Sequence, residues 1–221
     1  LHKLALRDTE NALVFAAAGA DGSVHVLRYS KEEHFLTGEI ELLEERSQLN
    51  QSFPNLQAIY IDADQRWLYL LDSRGAYGLA DLTEIDESGQ FSLLDEGSLF
   101  EAPASRLSAS TQLLGGISLL AASDQGELAQ FFVARQEQGF ELARVREFAS
   151  DDSTIVGLYP EQRRKGFLAV DAKGGLQIFH STSGRRVLDH ELGQAEIRLA
   201  ALSPRADRLL VGLSGGGVEA W

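Results

Sequence analysis

GFLAVDAKGGLQIFH, residues 166–180, decides the architecture. A short apolar run leads into the polar turn Asp171-Ala172-Lys173-Gly174, and the residues after it alternate in polarity from Leu176 to Phe179. Glycine accepts the positive φ that reverses a chain, and Asp or Ser beside it bonds the local backbone, so the stretch predicts a β-hairpin. Four other stretches share this layout: LVFAAAGADGSVHVL (13–27), WLYLLDSRGAYGLADL (67–82), SLLAASDQGELAQFFV (118–133) and RLLVGLSGGGVEAW (208–221). Their turn glycines are Gly22, Gly75, Gly126, Gly174 and Gly216, spaced 53, 51, 48 and 42 residues apart. That spacing is the size of one propeller blade.

The incoming strands are rich in Val, Leu, Phe and Ala and are predicted to be buried on both faces. The outgoing strands alternate, as in Val24-His25-Val26-Leu27, which predicts one packed and one wetter face. Both belong in the middle of four-stranded sheets. Weaker strand patterns lie between the hairpins, at LTGEIELLEER (36–46), LQAIYIDADQR (56–66), GFELARVREF (139–148) and IRLAALSPRADR (197–208). The stretch LTEIDESGQFSLLDEGSLFE (82–101) comes nearest to a helical period, but Gly89 and Gly97 break it. Gly115-Gly116 sits inside an apolar run and reads as a bulge or close backbone approach within a strand.

The expected fold is therefore all-β: one β-propeller-like domain over residues 1–221, with WD-repeat-like blades of four antiparallel strands. About five blades are visible. Seven would need about 300 residues, and the chain begins at Leu1 without methionine, so a fragment of a larger ring is expected. The Gly-His and Trp-Asp dipeptides of WD repeats are absent.

Composition narrows the function classes. The 221 residues are 44% hydrophobic and 24% charged, as in ordinary globular proteins. Twenty Lys and Arg against 33 Asp and Glu give a net charge of −13, which repels nucleic acid and anionic lipid. Zero cysteines exclude disulfides and thiolate chemistry. No apolar run approaches the roughly 20 residues that span a bilayer. Residues 13–20 are too short for a spanning helix, and Asp8 and Glu10 interrupt the basic flank that a signal sequence would need.

Motifs for chemistry are sparse. Gly212-Leu213-Ser214-Gly215-Gly216 matches the spacing of a nucleophile elbow, but VEAW follows where a helix is required, so a hairpin turn is the better reading. Asp62 and Asp64 open like a calcium loop, which Arg66 and Trp67 then break. The histidines His2, His25, His34, His180 and His190 show no metal-ligand spacing. No cofactor is expected. Glu39, Glu41, Glu44 and Glu45 read as a wet strand edge that discourages edge pairing. One dense basic run stands out, Arg163-Arg164-Lys165, with Arg185-Arg186 one hairpin later. These five residues are the candidate contact for an anion or a partner, because guanidinium forks match phosphate and carboxylate. The competing reading is a solvated turn.

QRWLYLLD (65–72), STQLLGGISLL (110–120), EQRRKGFLAVDAKGGLQIFHST (161–182) and ALSPRADRLL (201–210) carry a resemblance. The chain resembles the extra soluble region of long-form bacterial phosphate ABC-transporter permeases of the PstC type. That resemblance implies a periplasmic domain at the inner membrane, attached through membrane helices outside this chain. It implies as partners the remaining permease and ATPase subunits and the periplasmic phosphate-binding protein. It supplies no transport residue, since the family's pathway runs through its helices. The expected function is a non-catalytic accessory and interaction domain. The alternative is an anion-sensing module that uses the basic turns.

Overall fold

Turn chemistry repeats through the chain and sets its strands. In the computed structural model, which describes residues 2–137, 139–151, 153–161, 165–192, 196–203 and 207–221, all five hairpin glycines have positive φ, between 83° and 100°. In each turn the glycine N–H bonds the carbonyl three residues back, at 3.0–3.3 Å. Where that earlier residue has a side-chain acceptor, it takes two further amides. Asp72 Oδ1 accepts from Arg74 and Ala76, Ser123 Oγ from Gln125 and Glu127, and Asp171 Oδ1 from Lys173 and Gly175, all within 2.7–3.2 Å. At Gly22 a tight approach adds to the φ requirement: a Cβ there would stand 3.0 Å from the Phe53 carbonyl.

The described strands, in chain order, are β1 (Lys3–Asp8), β2 (Ala12–Ala18), β3 (Val24–Glu33), β4 (Ile40–Leu49), β5 (Leu56–Ile61), β6 (Trp67–Asp72) and β7 (Ala76–Asp81). Then follow β8 (Gln90–Phe91), β9 (Asp95–Ser98), β10 (Leu107–Leu113), β11 (Ser118–Ser123), β12 (Leu128–Gln136) and β13 (Gly139–Glu147). The last are β14 (Ile155–Pro160), β15 (Gly166–Asp171), β16 (Gly175–His180), β17 (Arg186–Glu191), β18 (Ile197–Leu202), β19 (Leu209–Leu213) and β20 (Val218–Ala220).

They form five sheets of antiparallel neighbours, apart from one parallel pair, β4 with β8, and in each the glycine hairpin starts from the second strand. The chain is an all-β, propeller-type fold. The orders are β1-β2-β3-β4-β8, β5-β6-β7-β9, β10-β11-β12-β13, β14-β15-β16-β17 and β18-β19-β20. As predicted, the hairpin strands are the inner ones of the four-stranded sheets. β6 and β11 are buried nearly throughout, whereas β2 keeps an alternating pattern. Four sheets share a detail that no sequence pattern announced. The first strand carries a register shift after its first residue, skipping Gln57, Ser108, Val156 and Arg198 in β5, β10, β14 and β18.

The chain divides into two compact units, Leu1–Ser98 with Arg135–Leu142, and Leu99–Ala134 with Ala143–Trp221. In the first, Val14, Val24, Leu68, Leu70, Ala80 and Phe91 pack into one core. In the second, Phe148, Phe167 and Phe179 form an aromatic cluster with ring centroids 4.8–5.4 Å apart. Val170, Ile197 and Val211 belong to a further cluster of that unit.

Two readings of the sequence need correction or completion. Gly115-Gly116 is not a bulge inside a strand: it closes a single 3-10 turn, Leu114–Gly116, between β10 and β11, and Gly115 has φ 73° and Gly116 φ 110°. Two adjacent residues with positive φ cannot continue a pleated strand. The stretch broken by Gly89 and Gly97 yields two short strands on different sheets, β8 lying parallel to β4 and β9 antiparallel to β7.

The β3–β4 hairpin departs from the others. β2 accompanies β3 only as far as the Ala12↔Ser30 pair, whereas β3 and β4 stay paired out to Glu33↔Ile40. Residues 31–42 are exposed without exception.

Candidate functional site

Lys165 and Arg185 sit at one end of the β14–β17 sheet, because β15 begins and β16 ends there. Gly166 pairs with His180, and Ser181 donates to the Lys165 carbonyl from its N–H at 2.7 Å and its Oγ at 3.0 Å. Ser181 is buried, so this double bond anchors the two turns to each other. Arg163 and Arg164 lie outside the described residues. Lys165 and Arg185 are exposed at this end.

Arg186 is already committed to carboxylates. Its Nη1 lies 2.6 Å from Asp189 and 3.5 Å from Asp151. The second oxygen of Asp151 accepts from the buried Gln177 amide at 2.9 Å. Of the five predicted contact residues, the fold thus brings Lys165 and Arg185 to one end as exposed cations and neutralises Arg186. The pairing with Asp151 was not legible because it joins residues 35 positions apart whose meeting depends on sheet register.

A cleft of about 430 Å³ opens beside these turns. Its floor is apolar, from Phe167, Leu168, Ile178, Val187 and Leu202, with Glu161 and His180 as polar groups. Val187 arrives there through a second irregularity: Ile178 pairs with Leu188 but Phe179 with Arg186, so Val187 is the extra residue of a bulge. The Tyr159 hydroxyl, which also lines the cleft, donates to the Ala200 carbonyl, and burial raises its pKa. His180 Nδ1 is 3.1 Å from Ser183 Oγ and 3.2 Å from Thr182 Oγ1, so the imidazole is tied into its own turn. A ligand here would meet an apolar floor with cations outside it.

A second cleft of the same unit, about 400 Å³, surrounds Arg144. Glu101, Glu147 and Glu127 lie 3.0, 3.5 and 3.7 Å from the guanidinium. Glu127 also accepts from the Glu101 N–H and from Ser105 Oγ, which fixes this ring of acids. Three carboxylates on one cation leave a net negative site that rejects anions.

In the first unit Arg66 stacks 4.3 Å over the Trp67 ring and 4.9 Å over Phe140, while Nη2 pairs with Asp81 at 2.6 Å. Burial alone would raise the Asp81 carboxyl. The Arg66 pair and two bonds from Thr83 outweigh it, so the group is held below the ordinary carboxylate range. Asp62 shows the opposite balance: burial raises it against bonds from the Trp67, Arg66 and Asp64 amides. Asp62 is thereby a turn cap, in keeping with the failed calcium-loop pattern.

Among the described residues no group of three or more His, Asp or Glu converges to hold a metal ion. Ser214 lies in the β19–β20 hairpin turn, where Gly216 has φ 84° and no helix follows. No described helix is long and apolar enough to cross a membrane.

No family model matches the sequence, and no curated protein matches it. Solved structures do match in fold. One is the β-propeller domain of Cps50 (Swd1) from Myceliophteria thermophila, at TM-score 0.61 and 12% identity over 100% of this chain and 82% of that one. Another is Sqt1 from Saccharomyces cerevisiae, at TM-score 0.66 and 8% identity over 98% of this chain and 58% of that one. At such identities the likeness is one of fold.

Proposed function

We propose that this chain is a non-catalytic interaction domain, the soluble periplasmic part of a phosphate ABC-importer permease that docks a partner in the envelope, foremost the periplasmic phosphate-binding protein. The remaining permease and ATPase subunits complete the transporter. One observation carries the interaction reading: polar groups that would do chemistry are consumed locally, while apolar surface is displayed. Arg144 is ringed by carboxylates, Arg186 is paired twice, and His180 is tied to its own turn, yet Phe35 and Leu36 are 97% and 83% exposed. The sequence resemblance, in EQRRKGF and STQLLGGISL above all, supports the assignment to a phosphate importer. Propellers of this type display loops from a rigid frame, which suits docking.

A second reading keeps the basic turns as an anion sensor, favoured by Lys165 and Arg185 standing exposed at one end of a sheet. The net charge of −13 opposes it, since the field raises the energy of a phosphate dianion. Isothermal titration separates the two. Docking predicts heat with the phosphate-binding protein and none with phosphate alone. Heat with phosphate alone that is abolished by R163A/R164A/R185A replaces docking with sensing, and silence with both overturns the phosphate assignment.

A further inference from the structure

The part of the β3–β4 hairpin that outruns its sheet is built in a way that folding does not require. The β2 ladder ends at Ser30, and Lys31 is tied back to the segment before β2: its N–H donates to the Asn11 carbonyl at 3.0 Å and its Nζ to that of Glu10 at 3.3 Å. Three cross-strand pairs, Lys31↔Leu42, Glu32↔Glu41 and Glu33↔Ile40, extend it. The end is an ordered turn: His34 N–H donates to Glu39 at 2.8 Å, and the Thr37 and Gly38 amides donate to the His34 carbonyl at 3.2 and 2.8 Å. Gly38 supplies the positive φ, 69°.

The residues at this turn run against turn chemistry, which favours Gly, Asn, Asp and Ser. Phe35 and Leu36 occupy its apex, and Ile40 and Leu42 follow on one strand face at 66% exposure each. Paired residues share a face, so Ile40 and Leu42 lie together with Glu33 and Lys31 opposite them, and Glu32 and Glu41 lie together on the other face. Like charges placed directly opposite destabilise a hairpin, and no described cation neutralises this pair. The arm therefore carries an apolar tip, a mixed face on which Lys31 and Glu33 stand opposite Leu42 and Ile40, and an unbalanced acidic face. With one lysine against four glutamates its net charge is −3.

These charges discriminate among occupants. Anionic lipid would repel the arm, and inserting the tip into any bilayer would drag Glu33, Glu39 and Glu41 with it. A second copy of this chain, itself at −13, would bring acid against acid. A protein groove with an apolar floor and a basic rim satisfies both faces at once. We propose that residues 31–42 form a docking arm that inserts Phe35, Leu36, Ile40 and Leu42 into an apolar groove of a partner protein whose lysine or arginine rim meets Glu32 and Glu41. The proposal rests on the interaction reading above, and it names the surface and the chemistry of the partner. Because the tip is ordered by its own hydrogen bonds, little is lost on binding.

The test places a photo-crosslinking phenylalanine analogue at position 35 of the intact protein in its own cells and maps the crosslinked peptide. The expected result is one protein adduct at an apolar groove flanked by Lys or Arg. It should fall at least tenfold with E32K/E41K and be unchanged by S47A on the sheet-bound part of the hairpin. Thermal midpoints of all variants should equal that of the parent, which keeps misfolding out of the result. An adduct with lipid, with a second copy or with a surface lacking cations overturns the proposal, as does no adduct or one indifferent to E32K/E41K. Titration with purified phosphate-binding protein keeps the two readings apart. Binding that survives F35S/L36S overturns the arm alone, whereas a basic-rimmed adduct with some other protein upholds the arm and overturns the phosphate assignment.

Discussion

The β3–β4 and β16–β17 hairpins occupy the same place, third and fourth strands of their sheets, and differ in one respect. β16 pairs with β15 along Gly166↔His180 to Val170↔Leu176, so all of it but Gly175 has that neighbour. β3 loses its inner neighbour at Ser30 and continues regardless. In β16 an apolar residue such as Phe179 is fully buried, while beyond Ser30 Ile40 and Leu42 remain two-thirds exposed. On the outer strand of the β16–β17 hairpin Val187 and Leu188 are also exposed, so the same type of residue is a stability element where strands flank it on both sides and a surface element where they do not. The difference teaches that flanking strands on both sides, which β3 lacks beyond Ser30, rather than hydrophobicity, tell the two uses apart.

Four measurements can break or sharpen that contrast. Amide hydrogen exchange should show the largest effect. Amides of β16 are expected to open only with global unfolding, on the order of 5–15 kcal/mol, whereas those of residues 31–42 should open locally at under about 2 kcal/mol. Equal protection in both would end the comparison. Urea denaturation of Phe179→Ala should reveal a loss of about 3–5 kcal/mol, since the ring stacks 5.3 Å from Phe167 and leaves a cavity when removed. Phe35→Ala should cost less than about 0.5 kcal/mol in the same assay.

Backbone strain gives a smaller contrast. Gly22→Ala is expected to lose about 1–3 kcal/mol, because positive φ is joined by the Phe53 carbonyl at 3.0 Å. At Gly38 the nearest atom to a new Cβ is the flexible Glu33 carboxylate at 3.7 Å, so Gly38→Ala should cost about 1 kcal/mol and only within the arm. A global destabilisation by Gly38→Ala would show the arm to be part of the cooperative fold.

Charge gives the smallest effect and depends on pH. Asp81 has a lowered pKa in the folded state, so its contribution is present above the unfolded value near 3.8 and is lost as pH falls through the folded one. Asp81→Asn should therefore cost about 1 kcal/mol at pH 7, a figure reduced for the part-exposed Arg66, and progressively less toward pH 2. Glu41→Gln, which relieves the facing Glu32, should be neutral or stabilising by a few tenths of a kcal/mol at pH 7. A stability gap for Asp81→Asn that widens on acidification would contradict the assigned pair.

The five hairpins were legible because their signal is local: a glycine with an Asp or Ser near it and apolar strands to either side. Several first strands were not. β1, β10 and β14 carry mixed sequences such as KLALRD and LSASTQL, whose strand state comes from pairing with a buried neighbour. The two-residue β8 carries no periodicity at all. Of the candidate site, the position of Lys165 and Arg185 at one end of one sheet was within reach of the sequence, while the capture of Arg186 by Asp151 required the fold. The apolar tip at Phe35 and Leu36 has no local signal of its own beside Glu39 and Glu41, since a wet edge accounts for the acids alone.

The parallel pairing of β4 with β8 reaches across the chain, Gln48↔Gln90 and Leu49↔Phe91, and the Asn50 N–H bonds the Phe91 carbonyl at 2.9 Å. Between those partners lie β5, β6 and β7, the bulk of the next sheet. During synthesis the first sheet cannot acquire its last strand until β5, β6 and β7 of the second have left the ribosome. Its closure is a late, long-range event that raises contact order, and the first sheet reaches its final form only after most of the second has been made. Refolding of that unit should accordingly follow a single kinetic phase, with β8 as the latch that couples one sheet to the next.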